Sequence, residues 1–502
     1  MPAEKLPIGK DLKQLLAGFA DAPALQITGL SSDSRRLRRG DVFVACDGID
    51  SNGMDYIDQA IAAGAIAVIH DATADVAAEV AIPAIAVPDL PKHLGSIVDR
   101  FFDSPSQAIR VAGVTGTNGK TTVACMIAQC LQLQASKCAY IGTLGTGIDD
   151  LDTSLGMTTP ACIDLHRKLA EFRDAQATDV AMEVSSHALA QGRVDGVRFD
   201  SVIFTNLSRD HIDYHGDMHA YGEAKAKLFT DFPARHKIVN VDSPFGRALA
   251  ERSGDGTVVV STEPAMSGNG RPYVFVRSLS AQRDGSVVAV ETSWGDAEFL
   301  LPLVGEFNVA NAISVLAFLL CRMTPLAQAT DLLEAVQAPA GRMQRVEKSD
   351  DHTLPAVYVD YAHTPSALEV ALNALRPHCD GQLWCVFGCG GERDQGKRPL
   401  MGGAVARFAD RAVVTNDNPR AEDPGTIIQQ VLAGMDSGAV AIEDRAAAIA
   451  WAISNAAADD IVLIAGKGHE TTQHIGDRLL PFSDFEWALA NLEKRQETGA
   501  AQ

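Results

Sequence analysis

Residues 109–122 read IRVAGVTGTNGKTT, an apolar run followed at once by a glycine-rich turn. Apolar residues then recur at helical spacing, at Val123, Met126, Ile127, Cys130 and Leu131. A strand, a glycine turn and a helix in this order are typical of a phosphate-binding loop, because backbone N–H groups and the positive helix end face the phosphates. In the general pattern G-x-x-x-x-G-K-[ST] the first glycine would fall on Val114, whereas here the glycines are Gly116 and Gly119.

This loop predicts ATP binding. Lys120 would neutralise β- and γ-phosphate oxygens, and the Thr121 hydroxyl would reach Mg²⁺. The alternative is a glycine-rich turn of structural use alone, but the strand before it and the amphipathic helix after it favour a true loop. The predicted nucleotide contacts of the loop are Gly116, Thr117, Asn118, Gly119, Lys120, Thr121 and Thr122.

Composition narrows the class of protein. The 502 residues are 46% apolar and 21% charged, as in soluble globular proteins, and the net charge of −21 argues against nucleic acid as a partner. The longest apolar runs fall far short of the ~18 residues of a membrane span, and the first residues lack a signal-peptide core. Nine cysteines without framework spacing predict a reducing compartment, and no pair among them suggests zinc. We therefore expect a cytoplasmic enzyme, and a monomer.

Changes in the pattern of apolar and polar residues divide the chain into three blocks, at 1–107, 108–340 and 341–502. Buried-type strands alternate with helical patterns in each block, which predicts an α/β fold with parallel sheets covered on both faces. The strand candidates of the first block are DVFVAC (41–46), AIAVIH (65–70) and AIAVP (84–88). Those of the second include DVAMEV (179–184), SVIFTNL (201–207) and KIVNV (237–241). Those of the third are AVYVDY (356–361), LWCVFG (383–388), RAVVTN (411–416) and DIVLIAG (460–466).

Polar residues follow the carboxyl ends of the predicted strands in the second and third blocks. Open α/β sheets bind ligands beyond these ends, so we expect two such edges to face each other across one interdomain site. The clusters of the second block are Glu183, Ser185 and His187, then Asn206, Asp210 and His211. Those of the third are Asp360 and His363, then Arg393, then Asp417 and Arg420, then Lys467, His469 and Glu470.

A divalent cation follows from the triphosphate of ATP, which needs Mg²⁺ bound by oxygen ligands. Glu183 and Thr121 are suitable ligands, and His211 is a softer candidate. The alternative for His211 is an ordinary surface or core histidine.

Seven short motifs occur together in one order. They are TGTNGKTT (115–122), EVSSHAL (183–189), FTNLSRDHIDYHGDM (204–218), YVDYAHTP (358–365), GCGGERD (388–394), DNPR (417–420) and AGKGHE (465–470). This set resembles the Mur ligase family over nearly the whole chain. The resemblance implies a small N-terminal UDP-substrate domain (1–107), a central P-loop parallel-sheet ATPase domain (108–340) and a C-terminal Rossmann-like domain (341–502) that binds the amino acid.

The resemblance also assigns roles to residues. It places magnesium near Thr121, Glu183 and His211, and a carbamylated lysine at Lys225 in YGEAKAKLF; a carbamate is carboxylate-like and suits a cation. Lys120, Glu183, His211 and Lys225 are the implied catalytic residues. The family's nucleotide-closing surface matches Asn308, Arg342 and Asp360. Its UDP-muramoyl-dipeptide site matches Thr158, Thr159, Ser185, Gln191 and Arg193, and its uridine site matches Ser32 and Ser34, with the loop after Gly48.

The incoming amino acid is expected to be meso-diaminopimelate, because DNPR accompanies that substrate in the family. A guanidinium can hold the distal carboxylate of diaminopimelate bidentately, and lysine has no such carboxylate. Glu470 suits the neighbouring ammonium group. The implied contacts are Arg393, Asp417, Asn418, Pro419, Arg420, Gly466 and Glu470.

The expected function is therefore an ATP-dependent amide ligase of peptidoglycan biosynthesis, which adds meso-diaminopimelate to UDP-N-acetylmuramoyl-L-alanyl-D-glutamate through an acyl phosphate. Alternatives within the enzyme class are a lysine-adding ligase and a folylpolyglutamate synthase-like ligase. Outside it, a nucleotide-dependent binding or switch protein would bind ATP through the same loop.

Overall fold

The computed structural model describes residues 9–46, 52–74, 80–263, 270–346, 353–435 and 438–500. The chain forms two compact units, one of residues 1–117 and 134–237 and the other of residues 118–133 and 238–502. The chain first crosses from one unit to the other between Thr117 and Asn118, inside the glycine-rich loop. Within the described residues, no helix is long and apolar enough to cross a membrane.

Strands and helices alternate along most of the described chain. The strands are β1 (Lys10–Asp11), β2 (Gln26–Ile27), β3 (Gly29–Ser31), β4 (Asp41–Ala45), β5 (Ala67–Asp71), β6 (Ala84–Val87), β7 (Arg110–Thr115), β8 (Cys138–Gly142), β9 (Gly145–Gly147), β10 (Asp179–Glu183), β11 (Phe199–Phe204), β12 (Ala234–Asn240), β13 (Val258–Ser261), β14 (Tyr273–Gln282), β15 (Gly285–Thr292), β16 (Gly295–Leu301), β17 (Gln344–Arg345), β18 (Ala356–Asp360), β19 (Leu383–Phe387), β20 (Arg411–Val414), β21 (Val440–Ala441), β22 (Ile461–Ala465), β23 (Thr472–Ile475) and β24 (Arg478–Pro481). The α-helices are α1 (Leu12–Leu15), α2 (Ile57–Ala63), α3 (Leu90–Phe101), α4 (Lys120–Leu133), α5 (Cys162–Asp174), α6 (Ser186–Ala190), α7 (Ile212–His215), α8 (Met218–Thr230), α9 (Pro244–Arg252), α10 (Glu306–Cys321), α11 (Leu326–Glu334), α12 (Pro365–Leu375), α13 (Lys397–Phe408), α14 (Pro424–Leu432), α15 (Arg445–Asn455) and α16 (Asp484–Ala500).

The first unit holds two sets of parallel strands. Near the N-terminus, β3, β4, β5 and β6 pair in parallel in that order. Farther along, the order is β11-β7-β10-β8-β9, and β11, β7, β10 and β8 run parallel. Their register aligns Glu183 with Val114 and Phe204 with Thr115, so the carboxyl ends of β7, β10 and β11 lie at one edge.

The second unit contains an antiparallel ribbon and a parallel sheet. The order β16-β15-β14-β13-β12 ends in the antiparallel strands β14, β15 and β16. The six-stranded sheet has the order β17-β18-β22-β19-β20-β21, and all of its strands except β17 run parallel. Asp360 aligns with Ala465 and Phe387 with Val414, so these strands too end together.

The six-stranded sheet is buried on both faces, which explains its continuous apolar runs. Alternate residues of one strand enter different clusters: Tyr358 packs on one face with Phe387 and Leu463, and Val357 packs on the other with Trp384 and Val462. The predicted α/β class with parallel sheets is therefore confirmed. Several of the shorter or edge strands, among them β8, β9 and β16, were not singled out from the sequence.

Candidate functional site

The glycine-rich loop joins β7 to α4, as the sequence predicted. Gly116 and Gly119 have φ values of 153° and 84°, where a side chain is strained. A Cβ on Gly116 would also collide with Thr205 Oγ1, and one on Gly119 with Asn311 Oδ1. Both glycines are thus required by conformation and by close approach. The glycines therefore stand at the two positions of the loop that require glycine, although the general pattern would place the first one at Val114.

Helix α8 contacts the loop at its first glycine, Gly116. Lys225 is 1% exposed, and its Nζ donates a hydrogen bond of 2.8 Å to the Gly116 carbonyl. The same ammonium lies 4.4 Å from the centre of the Tyr221 ring. The Tyr221 hydroxyl lies 3.2 Å from Thr117 Oγ1, which also accepts a bond from the Ser208 N–H at 3.0 Å. The predicted catalytic lysine and the phosphate loop are therefore in direct contact.

Glu183 is a buried carboxylate, 1% exposed, at the end of β10. Its Oε1 accepts hydrogen bonds from the Tyr140 hydroxyl at 2.6 Å and the Thr143 N–H at 2.8 Å, and its Oε2 accepts one from Thr143 Oγ1 at 3.3 Å. A Cβ on Gly142 would collide with Glu183 Oε1. The sequence reading missed Tyr140 and Thr143. The run CAYIG at 138–142 is a short strand signal followed by Thr143, but its pairing with β10, which brings Tyr140 to Glu183, is not visible in the local sequence.

Three residues predicted to hold the UDP-muramoyl dipeptide surround Glu183. Thr158 Oγ1 lies 3.1 Å from Thr143 Oγ1. Thr159 Oγ1 donates to the Glu183 carbonyl at 2.9 Å and accepts a bond from the Ser185 N–H at 3.1 Å. The Ser185 side chain caps α6 by accepting a hydrogen bond from Ala188 N–H. The structure thus joins Thr158 to the Glu183 carboxylate through Thr143, and it joins Thr159 and Ser185 to the Glu183 main chain.

Gln191 and Arg193 extend the same network. Arg193 Nη1 donates to the Thr159 carbonyl at 3.1 Å, and its Nε donates to Gln191 Oε1 at 2.8 Å. Gln191 Nε2 donates to the Tyr214 hydroxyl at 3.0 Å. Burial lowers the pKa of the Arg193 guanidinium. This partly buried cation is thus bonded to Thr159 and Gln191, two other residues predicted for the same site.

His211 lies in an aromatic cluster with His187 and Tyr221. Its backbone has a φ of 52°, its side chain is half-exposed, and its ring centre is 4.7 Å from that of His187. Burial, reinforced by the charges of His211 and His215, lowers the pKa of His187. Among the described residues no three His, Cys, Asp or Glu side chains are grouped to hold a metal ion. A cation near Glu183 would therefore need oxygen ligands from elsewhere, such as phosphate.

The residues predicted to form the nucleotide-closing surface occupy two places in the second unit. Asn308 is buried in α10, donates to the Val304 carbonyl and accepts a bond from Asn311 Nδ2 at 3.2 Å. It thus reaches Gly119 through Asn311, which the sequence reading missed. Asp360 accepts backbone bonds from Met343 and Ala362, both at 2.8 Å, and burial raises the pKa of the Asp360 carboxyl.

Arg342 stacks its guanidinium 5.0 Å from the centre of the Tyr361 ring. Its buried Nε forms no hydrogen bond within the described chain. The preceding Gly341 has a φ of 64° and packs against the Gly468–His469 backbone so closely that a Cβ would not fit. The start of the third predicted block is therefore pressed against the AGKGHE segment.

Asn418 and Glu470 of the predicted amino-acid site are hydrogen-bonded together. Asn418 Nδ2 donates to Glu470 Oε2 at 2.9 Å. Lys467, which is fully buried, donates from Nζ to Glu470 Oε2 at 2.9 Å and to Asn418 Oδ1 at 3.1 Å. Burial opposes ionisation of Glu470, but the Lys467 and Asn418 hydrogen bonds outweigh it and lower the pKa of this carboxyl.

The remaining diaminopimelate candidates lie around that pair. Arg420 has a φ of 53° and donates from Nη1 to the Gly391 carbonyl at 2.6 Å. A Cβ on Gly466 would lie 2.6 Å from Asp417 Oδ2. Pro419 is buried between Asn418 and Arg420. Arg393 is exposed, and no described residue forms a hydrogen bond or ion pair with its guanidinium.

The uridine candidates sit at one turn of the first unit. Ser34 is buried and donates from Oγ to Gln59 Oε1 at 2.9 Å, whereas Ser32 is exposed. The loop after Gly48, at 49–51, lies outside the described residues. A separate cavity of about 510 Å³, lined by Trp384, Trp451 and Arg411 among others, opens at the amino ends of β19 and β20. It includes none of the predicted site residues.

Three family models match the chain. The Mur ligase family catalytic domain matches residues 26–102, the Mur ligase middle domain matches 114–319, and the Mur ligase glutamate ligase domain matches 341–468. The chain therefore belongs to the Mur ligase family. The predicted family and the predicted enzyme class, an ATP-dependent amide ligase, are both confirmed.

The relatives within the family narrow the comparison further. The UDP-N-acetylmuramoyl-L-alanyl-D-glutamate–2,6-diaminopimelate ligase of Coxiella burnetii (strain RSA 493 / Nine Mile phase I) is 45% identical over 96% of this chain and 99% of its own. The ligase of the same name from Xanthomonas campestris pv. campestris (strain 8004) is 45% identical over 97% of this chain and 98% of its own. A solved structure of a ligase of that name is 32% identical, with a TM-score of 0.75 over 97% of this chain and 100% of its own.

A solved folylpolyglutamate synthase from Mycobacterium tuberculosis shares the fold alone. Its identity is 20% and its TM-score is 0.57, over 79% of this chain and 93% of its own.

Proposed function

We propose that the protein joins meso-diaminopimelate to UDP-N-acetylmuramoyl-L-alanyl-D-glutamate at the expense of ATP, in peptidoglycan biosynthesis. The observation that carries the proposal is that a cationic and an anionic side chain, Arg420 and Glu470, belong to one hydrogen-bonded cluster. The Arg420 N–H donates to the His474 carbonyl, the His474 N–H donates to Asn418 Oδ1, and Asn418 Nδ2 donates to Glu470 Oε2. The distal end of diaminopimelate carries both a carboxylate and an ammonium, and this cluster offers a partner to each.

The same cluster argues against lysine as the substrate. Lysine would leave the Arg420 guanidinium without a carboxylate in a partly buried position. A site built to bind a polar group rejects an analogue that lacks it, by roughly 10⁴-fold where the group is fully engaged. The 45% identity to ligases named for diaminopimelate supports the same choice.

ATP is proposed to bind the glycine-rich loop, with Lys120 against its β- and γ-phosphates and Asn308, Arg342 and Asp360 on the remaining nucleotide surface. The proposed magnesium ligands are Thr121, Glu183, His211 and a carbamate on Lys225. Glu183 fits this role, because its Oε1 is held by two hydrogen bonds while Oε2 has a single long one. Mg²⁺, when bound, would screen charge on the phosphate oxygens.

A carbamate on Lys225 is compatible with its surroundings. Carbamylation joins the neutral amine to CO₂ and releases one proton, and the product keeps one N–H. That N–H can still donate to the Gly116 carbonyl, which Lys225 Nζ now contacts at 2.8 Å. The added carboxylate would supply a further oxygen donor beside the phosphate loop.

The reaction has two steps. The glutamyl carboxylate attacks the γ-phosphorus of ATP, which gives an acyl phosphate and ADP. The amine of diaminopimelate then attacks the acyl carbon, and phosphate leaves from a tetrahedral intermediate. Thr158, Thr159, Ser185, Gln191 and Arg193 are proposed to hold the muramoyl dipeptide, and Ser32 and Ser34 the uridine. Catalysis then depends mainly on positioning and on charge stabilisation by Lys120.

The proposal places the reaction in the cytoplasm, with the protein acting as a monomer. The nine cysteines, all among the described residues, are free thiols, which supports a reducing compartment. Burial raises the pKa of Cys130 to about 12 and raises that of Cys385 further. These two thiols are therefore unreactive.

The test is phosphate release from ATP with UDP-N-acetylmuramoyl-L-alanyl-D-glutamate as the acceptor. Separate reactions would contain meso-diaminopimelate, L-lysine or no amino acid. We expect release that depends on meso-diaminopimelate and is at least about 100-fold slower with lysine. Equal rates with both amines would contradict the amino-acid assignment, and no amine-dependent release would contradict the ligase assignment in favour of a nucleotide switch.

A further inference from the structure

Arg445 is a buried charge that neither the motifs nor the proposed chemistry uses. It is the first residue of α15, its side chain is fully buried, and it pairs with Asp484, the equally buried first residue of α16. Arg445 Nε and Nη2 donate to the two oxygens of Asp484, both at 2.7 Å. The carboxylate thus fixes the plane of the guanidinium.

The other side of the guanidinium reaches two backbone carbonyls. Nη1 donates to the Asn416 carbonyl at 3.1 Å, and Nη2 donates to the Ala465 carbonyl at 2.9 Å. Asn416 directly precedes DNPR, and Ala465 begins AGKGHE. β20 and β22, which lead into these segments, are not neighbours, because β19 lies between them. One buried side chain therefore bonds to the bases of two loops that the sheet itself does not pair, in addition to the Asn418–Glu470 and Lys467–Asn418 bonds farther along them.

The geometry points to Arg445 as a positioning residue for amino-acid selection: braced by Asp484, it sets the spacing between the DNPR and AGKGHE segments and so between Arg420 and Glu470. This inference rests on the proposed function for its substrate. A fully buried ion pair is a weak source of stability, since desolvation offsets the attraction, whereas a fixed guanidinium fork gives accurate placement. Gly466 lies against it, because a Cβ there would be 3.9 Å from Arg445 Nη2.

The first test is R445K, which keeps the charge opposite Asp484 but cannot reach both carbonyls and both carboxylate oxygens. We expect the KM for meso-diaminopimelate to rise about tenfold or more, since misplaced binding groups lose affinity, while the KM values for ATP and the UDP substrate change less than about twofold. An unchanged KM for diaminopimelate, or an equal rise in all three KM values, would overturn the inference.

The matched control is R376K in the same unit. Arg376 Nη2 also joins a carboxylate, Asp410 at 2.7 Å, and a carbonyl, Phe408 at 3.5 Å, but at the amino ends of β19 and β20. We expect no change in the KM for diaminopimelate. Should R445K not fold, the double variant R445M/D484L replaces the ion pair by apolar groups, which buried sites tolerate. It should show the same selective rise, and a wild-type KM would overturn the inference.

Hydrogen–deuterium exchange separates this inference from the proposed function. Residues 417–420 and 466–470 should exchange faster in R445K than in the wild type or R376K, whatever the enzyme turns over. If the wild type shows no diaminopimelate-dependent turnover, the proposed function fails, but hydrogen–deuterium exchange still tests whether Arg445 positions the two segments. Unchanged exchange in both segments would overturn this positioning role of Arg445.

Discussion

Arg420 combines an unusual backbone with a directed side chain. Its φ of 53° places it in the left-handed region, and its ends are held by bonds with the His474 carbonyl and the Gly476 N–H. Non-glycine residues adopt this region at a cost of about 1 kcal/mol or more. A strained residue kept in place by its neighbours is typical of a functional site, which agrees with the role proposed for its guanidinium.

We expect Arg420→Lys to raise the KM for meso-diaminopimelate by roughly 10- to 100-fold, because a bidentate charged hydrogen bond contributes about 1.5–3 kcal/mol. Steady-state kinetics with each substrate varied in turn provides the measurement. Arg407→Lys, at the exposed end of α13, is the control and should leave KM unchanged. A variant that binds diaminopimelate normally would remove Arg420 from the site.

Lys225 and Lys227 lie two residues apart on α8, one buried and one exposed. We expect Lys225→Ala to reduce kcat by roughly 100-fold or more, because the proposed carbamate would supply charge stabilisation that is worth several kcal/mol. Added formate or acetate should restore part of the rate. Lys227→Ala should behave like the wild type. Full activity of Lys225→Ala without added carboxylate would exclude the carbamate.

At the scale of elements, continuous apolar runs predicted the strands that matter most for the sites. The runs at 109–114, 179–184 and 460–466 correspond to β7, β10 and β22, because strands buried on both faces leave an unbroken hydrophobic signal. Polar residues after them were correctly expected at one edge, since parallel strands end together. The signal was weaker for β8, whose five residues include cysteine, alanine and glycine.

Partners distant in sequence could not be read from local pattern. Tyr140 reaches Glu183 because β8 pairs with β10, and Asn311 meets Gly119 because α10 packs on α4. Asp484 begins α16, where an acidic residue is ordinary, and the sequence next to Arg445 at the start of α15 does not mark this arginine as buried. Their burial appears when the strands and helices are assembled, so this pair carried no signal in the sequence.

The contact between α3 and α5 contains a fully buried histidine. His166 Nε2 lies 2.9 Å from the Asp195 carbonyl, and Nδ1 lies 3.7 Å from Asp99 Oδ1 without a hydrogen bond. Burial lowers the pKa of His166, although the Asp195 carbonyl and the Asp99 charge act in the opposite direction. The native state therefore keeps this ring neutral where an unfolded chain would protonate it.

Stability should therefore fall as pH decreases below the unfolded histidine pKa of about 6.5, by up to about 1.4 kcal/mol per pH unit from this group. His166→Gln retains an N–H donor and should show a shallower dependence. Denaturant unfolding at several pH values measures the difference, which cancels the contribution of other histidines. His219→Gln, at an exposed position, should match the wild type. Parallel pH profiles for His166→Gln and the wild type would contradict this account.

For the whole molecule, the three blocks predicted from the residue pattern differ from the two compact units of the structure. The predicted bounds at 107/108 and 340/341 follow changes in pattern and remain a prediction. The compact units instead separate α4 from β7, because α4 packs against α10 and α11. The glycine-rich loop thus begins in one unit and ends in the other. Lys225 bonds to Gly116 within the first unit, and Asn311 lies against Gly119 within the second.

Nucleotide binding to the glycine-rich loop should be visible in the thermal stability of the protein, because a ligand that binds the folded state alone stabilises it. A ligand at a hundred times its Kd adds about 2.7 kcal/mol, or roughly 5–10 °C for a unit of about 200 residues. We expect ADP with Mg²⁺ to raise the thermal midpoint by this amount and AMP, which lacks the β-phosphate, to raise it much less. Lys120→Ala should remove most of the ADP effect, and chelation of Mg²⁺ should reduce it. Equal stabilisation by AMP and ADP would mean that the loop at 115–122 does not bind the phosphates, because Lys120 would then contribute nothing to the distinction between the two nucleotides.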